Sequence, residues 1–167
     1  MERHFWDVFV VDALLGNFDR HNGNWGFLFD EITGESSIAP IYDCGSCLLP
    51  QADEKIMNEV LSNEDALHSR VYLYPTSAIK QNDRKINYRD FLMSSEYEGC
   101  SEAVKRIVHR VDMEVISEFI DSTPYLSDLQ KAFYKHYIKA RYNLILVPAF
   151  DLAVSLEQEP NKPIMGM

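Results

Sequence analysis

The hydrophobic pattern of this chain changes period several times, and each change predicts an element. Residues 4–15, HFWDVFVVDALL, are apolar at nearly every position. Phe5, Phe9 and Ala13 share one helical face with Trp6 and Val10, while Asp7 is left to reach solvent. A helix that is apolar all round is buried from several directions, so this one reads as though further structure should precede it. Gly16 and Asn17, which tolerate left-handed backbone, end it, and a polar loop follows over 18–24. Trp25, Phe27 and Phe29 then alternate with Gly26 and Leu28 as a short strand. Thr33-Gly34 lies in a turn, and Ser37 to Tyr42 form a returning strand, with Pro40 marking an edge or a strand end.

Beyond a loop at 44–50 the period becomes helical. Residues 52–62 suit a helix with Ile56, Met57 and Val60 turned inward. Residues 64–74 are ambiguous and are stopped by Pro75. Residues 86–95 read as a short helix burying Phe91 and Leu92. A long helix is expected from Ser101 to about 120, carrying Val104, Ile107, Val108, Val111, Val115 and Phe119 at spacings of three and four. A second runs over 125–147 with Leu126, Leu129, Phe133, Tyr137, Arg141 and Leu144 on its core face. Lys131, Lys135 and Lys139 stand four apart as a solvated face. After Pro148 the expectation is a tail ending in a frayed NKPIMGM. This order predicts an α+β fold, predominantly helical, with one β-hairpin. It reads as one domain over 1–167, divided into a helix-and-hairpin part over 1–50 and a helical subdomain over 51–150.

Composition narrows the function classes. The 167 residues are 46% hydrophobic and 25% charged, ordinary for a globular protein large enough for its own core. Sixteen basic against 26 acidic residues give a formal charge of -10, a field that repels nucleic acid and anionic membrane surfaces. Residues 1–50 hold eight acids and two bases, a net of -6, and no lysine precedes Lys55. Most of these acids serve as solubilising surface, yet the excess lies where a cation site would want it. Three cysteines do not make a disulfide framework, and the lone C-x-x-C of Cys44 and Cys47 lacks the second pair a zinc site needs. No secretory leader or membrane-length apolar run is visible, so a cytoplasmic location is expected.

The polar detail concentrates at 16–45. Asp19 and Asn24 are five apart in the loop, and the hairpin returns Asp43 towards them. Two carboxylates and an amide form a hard-oxygen set suited to magnesium and phosphate. Phosphoryl transfer needs a carboxylate to orient or deprotonate the acceptor hydroxyl, a role open to Asp19. It also needs oxygen ligands for magnesium, a role open to Asn24 and Asp43. Gly23 and Gly26 let the backbone turn tightly there.

LLGNFDRHNGNWGFL followed by IAPIYDCGSCL resembles the C-terminal domain of the HipA-like kinase family, and KINYRDFL and FYKHYIKARYNLIL are similar to its helical subdomain. The resemblance implies the lower lobe of a protein-kinase-like fold, transfer of phosphate from ATP to serine or threonine, and kinship with toxins of toxin–antitoxin pairs. It places the catalytic residue at Asp19 and the magnesium- and ATP-binding ligands at Asn24 and Asp43, with Asp43-Cys44-Gly45 as a D-F-G variant. His21 is a candidate to contact the phosphoryl group or the acceptor, with bracing of the loop backbone as the alternative. Arg20 is expected to pair with an acid, and Asp12 to hydrogen-bond beneath the loop. DRHNGN is also similar to the loop of phosphatidylinositol kinases, although no basic lipid-binding patch accompanies it.

A working kinase also needs an upper lobe with a glycine-rich loop and a phosphate-pairing lysine. No G-x-G-x-x-G occurs, and Lys55 lies beyond Asp43. The chain therefore reads as a lower lobe with the upper lobe absent and little or no activity alone. It would be a fragment, a separately encoded lobe, or one half of a complex. The expected partners are a protein substrate, an upper-lobe or antitoxin chain, or a second copy meeting the exposed first helix at Phe5, Trp6 or their neighbours. A non-catalytic binding remnant and a metal-dependent phosphohydrolase are the competing classes.

Overall fold

The computed structural model describes residues 1–73 and 76–158. Helix α1, Glu2–Leu15, stops at Gly16, whose φ of 67° is left-handed and whose N–H returns to the Asp12 carbonyl. After a single 3₁₀ turn at Asn22–Asn24 the chain forms an antiparallel hairpin, β1 Phe27–Phe29 with β2 Ser36–Ile38, in which Phe27 faces Ile38. The returning strand is shorter than expected, because Pro40 cannot donate to a ladder. Helices α2 (Glu54–Ser62) and α3 (Glu64–Tyr72) follow, the second resolving the ambiguous stretch. Asn63 separates them and caps α3, its side chain accepting from the N–H groups of Asp65 and Ala66.

A second small hairpin, β3 Lys80–Gln81 with β4 Arg84–Lys85, precedes α4, Tyr88–Ser94. Its two-residue turn, Asn82-Asp83, has positive φ at both positions, 51° and 64°, as a tight hairpin with right-handed twist requires.

The helix expected from Ser101 to 120 is two helices, α5 Glu98–Val108 and α6 Met113–Ser122. Asp112 breaks the run by capping α6, its carboxylate accepting from the N–H groups of Glu114 and Val115. The apolar period carries across this break while the chain turns. Val104, Ile107 and Val108 stay in the core, but Val115 and Phe119 end up 60% and 73% exposed. Helix α7, Asp128–Arg141, then passes through one π turn, Tyr142–Leu146, into α8, Val147–Gln158. The rod thus runs through Pro148, where a tail was expected. The widened turn spares Leu144 the clash that a proline imposes on the carbonyl four residues earlier. The segment NKPIMGM lies outside the described residues. Lys131 and Lys135 are also more than a solvated face, since both hold Asp121 at the end of α6, through its carbonyl at 2.8 Å and its carboxylate at 2.7 Å.

The core forms around α1. Phe9, Val10 and Ala13 pack with Tyr88, Val104, Phe133, Ile145 and Leu146, all essentially inaccessible. Of Phe5, Trp6 and their neighbours, where exposure is expected, Trp6 is buried, stacked on Phe91, tilted against Tyr97 and pressed against Gly99, while Phe5 is half-buried. The covering of α1 comes from α5 and the C-terminal rod, elements that follow it in sequence. At the far side Arg141, wholly buried, donates from Nε to the Ala13 carbonyl at 2.8 Å. The apolar exposure lies instead on the first hairpin, at Phe27, Leu28, Phe29 and Ile32. Among the described residues no helix is long and apolar enough to cross a membrane.

Candidate active site

The loop after α1 hangs from one buried ion pair. Asp12, in the last turn of α1, accepts from Arg20 twice, Nε to Oδ2 at 2.8 Å and Nη2 to Oδ1 at 3.1 Å. Both side chains are almost fully excluded from water. Asn17 donates to the same carboxylate at 2.9 Å, so three hydrogen bonds offset the burial of its charge. Arg20 spends its other donors across the hairpin, on the Tyr42 carbonyl at 2.8 Å and the Cys44 sulfur at 3.6 Å. One guanidinium thereby joins the end of α1, the polar loop and the two residues that flank Asp43. The Asp12 hydrogen bonds hold its pKa far above the ordinary arginine value, against the opposing effect of burial.

A second set of bonds shapes the loop. The His21 N–H donates to Asn24 Oδ1 at 2.9 Å, and the Gly23 N–H donates to His21 Nδ1 at 3.0 Å. The imidazole therefore braces the 3₁₀ turn through Nδ1, which fixes its neutral tautomer with the proton on Nε2. A Cβ at Gly23 would lie 2.9 Å from His21 Cε1, so a larger residue there would push the imidazole away from its place on the turn. The Tyr42 hydroxyl straps the hairpin down by donating to the Gly23 carbonyl at 3.0 Å.

Asn24 is buried, and its amide Nδ2 meets Asp43 Oδ2 across 19 residues of chain. Asp43 itself sits at φ 57°, a left-handed conformation uncommon for a non-glycine residue and concentrated at functional sites. Asp19 is exposed, with its N–H held by Asn17 Oδ1 at 3.1 Å and no hydrogen bond to its carboxylate among the described residues. The sequence-predicted residues thus divide into two groups. Asn24 and Asp43 are in contact, while Asp19 and His21 stand on the exposed surface of the same loop.

No cluster of three or more His, Cys, Asp or Glu side chains suited to a metal occurs among the described residues. Asn24 and Asp43 alone fit magnesium, which commonly takes one or two carboxylates and completes its shell with water and phosphate oxygens. Cys44 and Cys47 are free thiols, and burial pushes the Cys47 thiol up to about 12, away from the thiolate a metal would need.

Two anchors carried little signal in sequence. Tyr88, on α4, donates to the Asn17 carbonyl at 2.5 Å and pins the loop from behind, its own pKa raised by burial. Tyr42 precedes Asp43 and reads there as one more strand aromatic.

Comparison with known proteins gives this arrangement its context. The chain is 50% identical over 153 residues to the serine/threonine-protein kinase CtkA of Helicobacter pylori strain J99, a match covering 91% of this chain and 47% of that protein. The likeness to this kinase runs over nearly the whole chain and agrees with the resemblance to HipA-like kinases that the loop motif carries. Its fold agrees with the crystal structure of a Helicobacter pylori proinflammatory kinase CtkA at a TM-score of 0.90 and 48% identity, over 93% of this chain and 57% of that one. No family model matches. The chain spans about half the length of these relatives and has the architecture of a kinase C-terminal lobe. The expected hairpin after the loop is present, with the small β3–β4 hairpin as an addition.

Proposed function

We propose that this chain is the phosphoryl-transfer lobe of a HipA-like serine/threonine kinase, acting on a protein hydroxyl with ATP and magnesium once a nucleotide-binding lobe is joined to it. The observation that carries the reading is the contact of the Asn24 amide with the Asp43 carboxylate, which holds the two proposed ligand residues side by side next to the loop of Asp19. Asp19, exposed and with an unengaged carboxylate, orients the acceptor hydroxyl and takes its proton. Asn24 and Asp43 hold the metal, which when bound neutralises charge on the phosphate oxygens. His21 keeps the loop in shape through Nδ1, leaving Nε2–H for the acceptor side.

The nucleotide lobe, in the same or another chain, is proposed to cover the first hairpin and the apolar cleft of about 640 Å³ between Met1, Phe5, Trp25, Phe27 and Ile38. Residues 1–50 then form the chemical part and 51–150 its helical support, within one lobe. Transfer of the γ-phosphate, measured with the nucleotide lobe present, should fall by about a hundredfold or more in Asp19→Asn. Asp43→Asn should lose the response to magnesium. Full transfer by Asp19→Asn would overturn the assignment. Absence of ATP turnover in the joined protein would favour a binding or regulatory lobe.

A further inference from the structure

The catalytic loop has a neighbour that the chemistry above does not use. A cleft of about 450 Å³ opens between His21, Asn22 and Gly23 on one side and Ala78, Ile79 and Lys80 on the other. Lys80 is the cation that the second hairpin contributes to its wall. It is exposed and has no ion-pair partner among the described residues.

The wall that carries Lys80 is firmly built. Ser77, fully buried, donates from its N–H to the Ile86 carbonyl at 2.9 Å, and the Ile86 N–H donates to the Ile79 carbonyl at 3.1 Å. Ser77 Oγ accepts from the Ile79 N–H at 3.1 Å. Two residues beyond Ile86, Tyr88 ties the same segment to the catalytic loop through the Asn17 carbonyl. The position of Lys80 is therefore set relative to the loop by backbone bonds and one buried hydroxyl.

The hairpin also sorts its charges. Lys80 stands opposite Lys85 in the ladder, and Gln81 stands opposite Arg84. Successive strand residues take opposite faces, so the two lysines share one face, and Gln81 and Arg84 share the other. Gln81 carries the acid with it, donating to Glu96 Oε2 at 2.9 Å. Like charges directly opposite one another destabilise a sheet, and in a chain of formal charge -10 an acid opposite Lys80 would have been easy to place. The charge of Lys80, which lines the cleft, is thus left for a ligand of opposite sign to match.

We propose that Lys80 is a specificity residue that reads an anionic side chain, carboxylate or phosphate, flanking the acceptor hydroxyl of a protein substrate held against His21–Gly23. This rests on the kinase reading of the loop but is tested without nucleotide. Serine peptides labelled with a fluorophore and flanked by aspartate, phosphoserine, glutamine or lysine are titrated with the chain, and anisotropy gives their affinities. At low salt the aspartate or phosphoserine peptide should bind about fivefold or more tightly than the glutamine peptide, with the gap closing as salt rises. Lys80→Glu should remove or reverse the preference and Lys80→Arg should keep it. Lys139→Glu, an equal charge change on α7, should leave it intact. Equal affinities, no binding of any peptide, or equal effects of Lys80→Glu and Lys139→Glu would each overturn the proposal. Loss of the kinase reading shows separately, as phosphoryl transfer that survives Asp19→Asn.

Discussion

Arg20 joins three parts of the site, and its worth is best judged from what happens when its partner is removed. Asp12→Ala would strand a guanidinium that is about 1% exposed and leave Asn17 without its acceptor. Breaking a buried pair from one side costs about 3–5 kcal/mol, so thermal unfolding of Asp12→Ala should show a large drop in midpoint. A shift no greater than that of an exposed substitution such as Glu31→Ala would refute this role. The sequence reading had Asp12 beneath the loop and Arg20 pairing with an acid, but it did not join the two. They are eight residues apart across a left-handed helix cap, a spacing that neither helical nor strand period marks as a neighbour. Asp19, Asn24 and Asp43 were easier to single out as candidates because residue type and order mark them in the sequence. Tyr42 and Tyr88 act on the loop through a hydroxyl on a carbonyl, and a tyrosine's residue type does not announce that contact.

Elements were most legible where one period ran undisturbed to a strong terminator. Helix α1 matched its pattern from Phe5 to Gly16, whereas the α5–α6 run continued its apolar spacing through a change of direction. The signal for that break was Asp112, whose capping role depends on the chain having turned. Pro148 gave the opposite error, since a proline normally ends a helix and only the π turn before it allows the rod to continue. The packing of α5 on α1 has its own narrow requirement. A Cβ on Gly99 would lie 2.7 Å from Trp6 Cδ1 and Nε1, closer than carbon atoms approach. Gly99→Ala should therefore destabilise by about 1–3 kcal/mol through overpacking, despite the gain in helix propensity expected at an unhindered site. Chemical denaturation of this variant decides the point, and a midpoint equal to or above that of the parent would contradict it.

At the scale of the molecule, the apolar surface without a cover is displaced from where the sequence put it. Helix α1 is wrapped by its own chain, and the first hairpin gathers several exposed apolar side chains in one place, with Phe27 at 59% and Phe29 at 64%. A two-stranded ribbon with apolar side chains in water is marginal by itself and gains from being covered. In sedimentation, the isolated chain should associate with rising concentration, and Phe27→Ser with Phe29→Ser should weaken that association. A parent chain that stays monomeric throughout would count against it. The bond from Arg141 to the Ala13 carbonyl has a different consequence, one of timing. It joins residues 128 positions apart, whereas Asp12, Arg20 and Tyr42 close much shorter loops. At ribosomal speeds of about 5–20 residues per second, α1 emerges roughly 6–25 s before the helix that buries it. Through that interval the loop anchors can form, while the apolar side chains of α1 wait without their full cover for a chaperone or for the C-terminal rod.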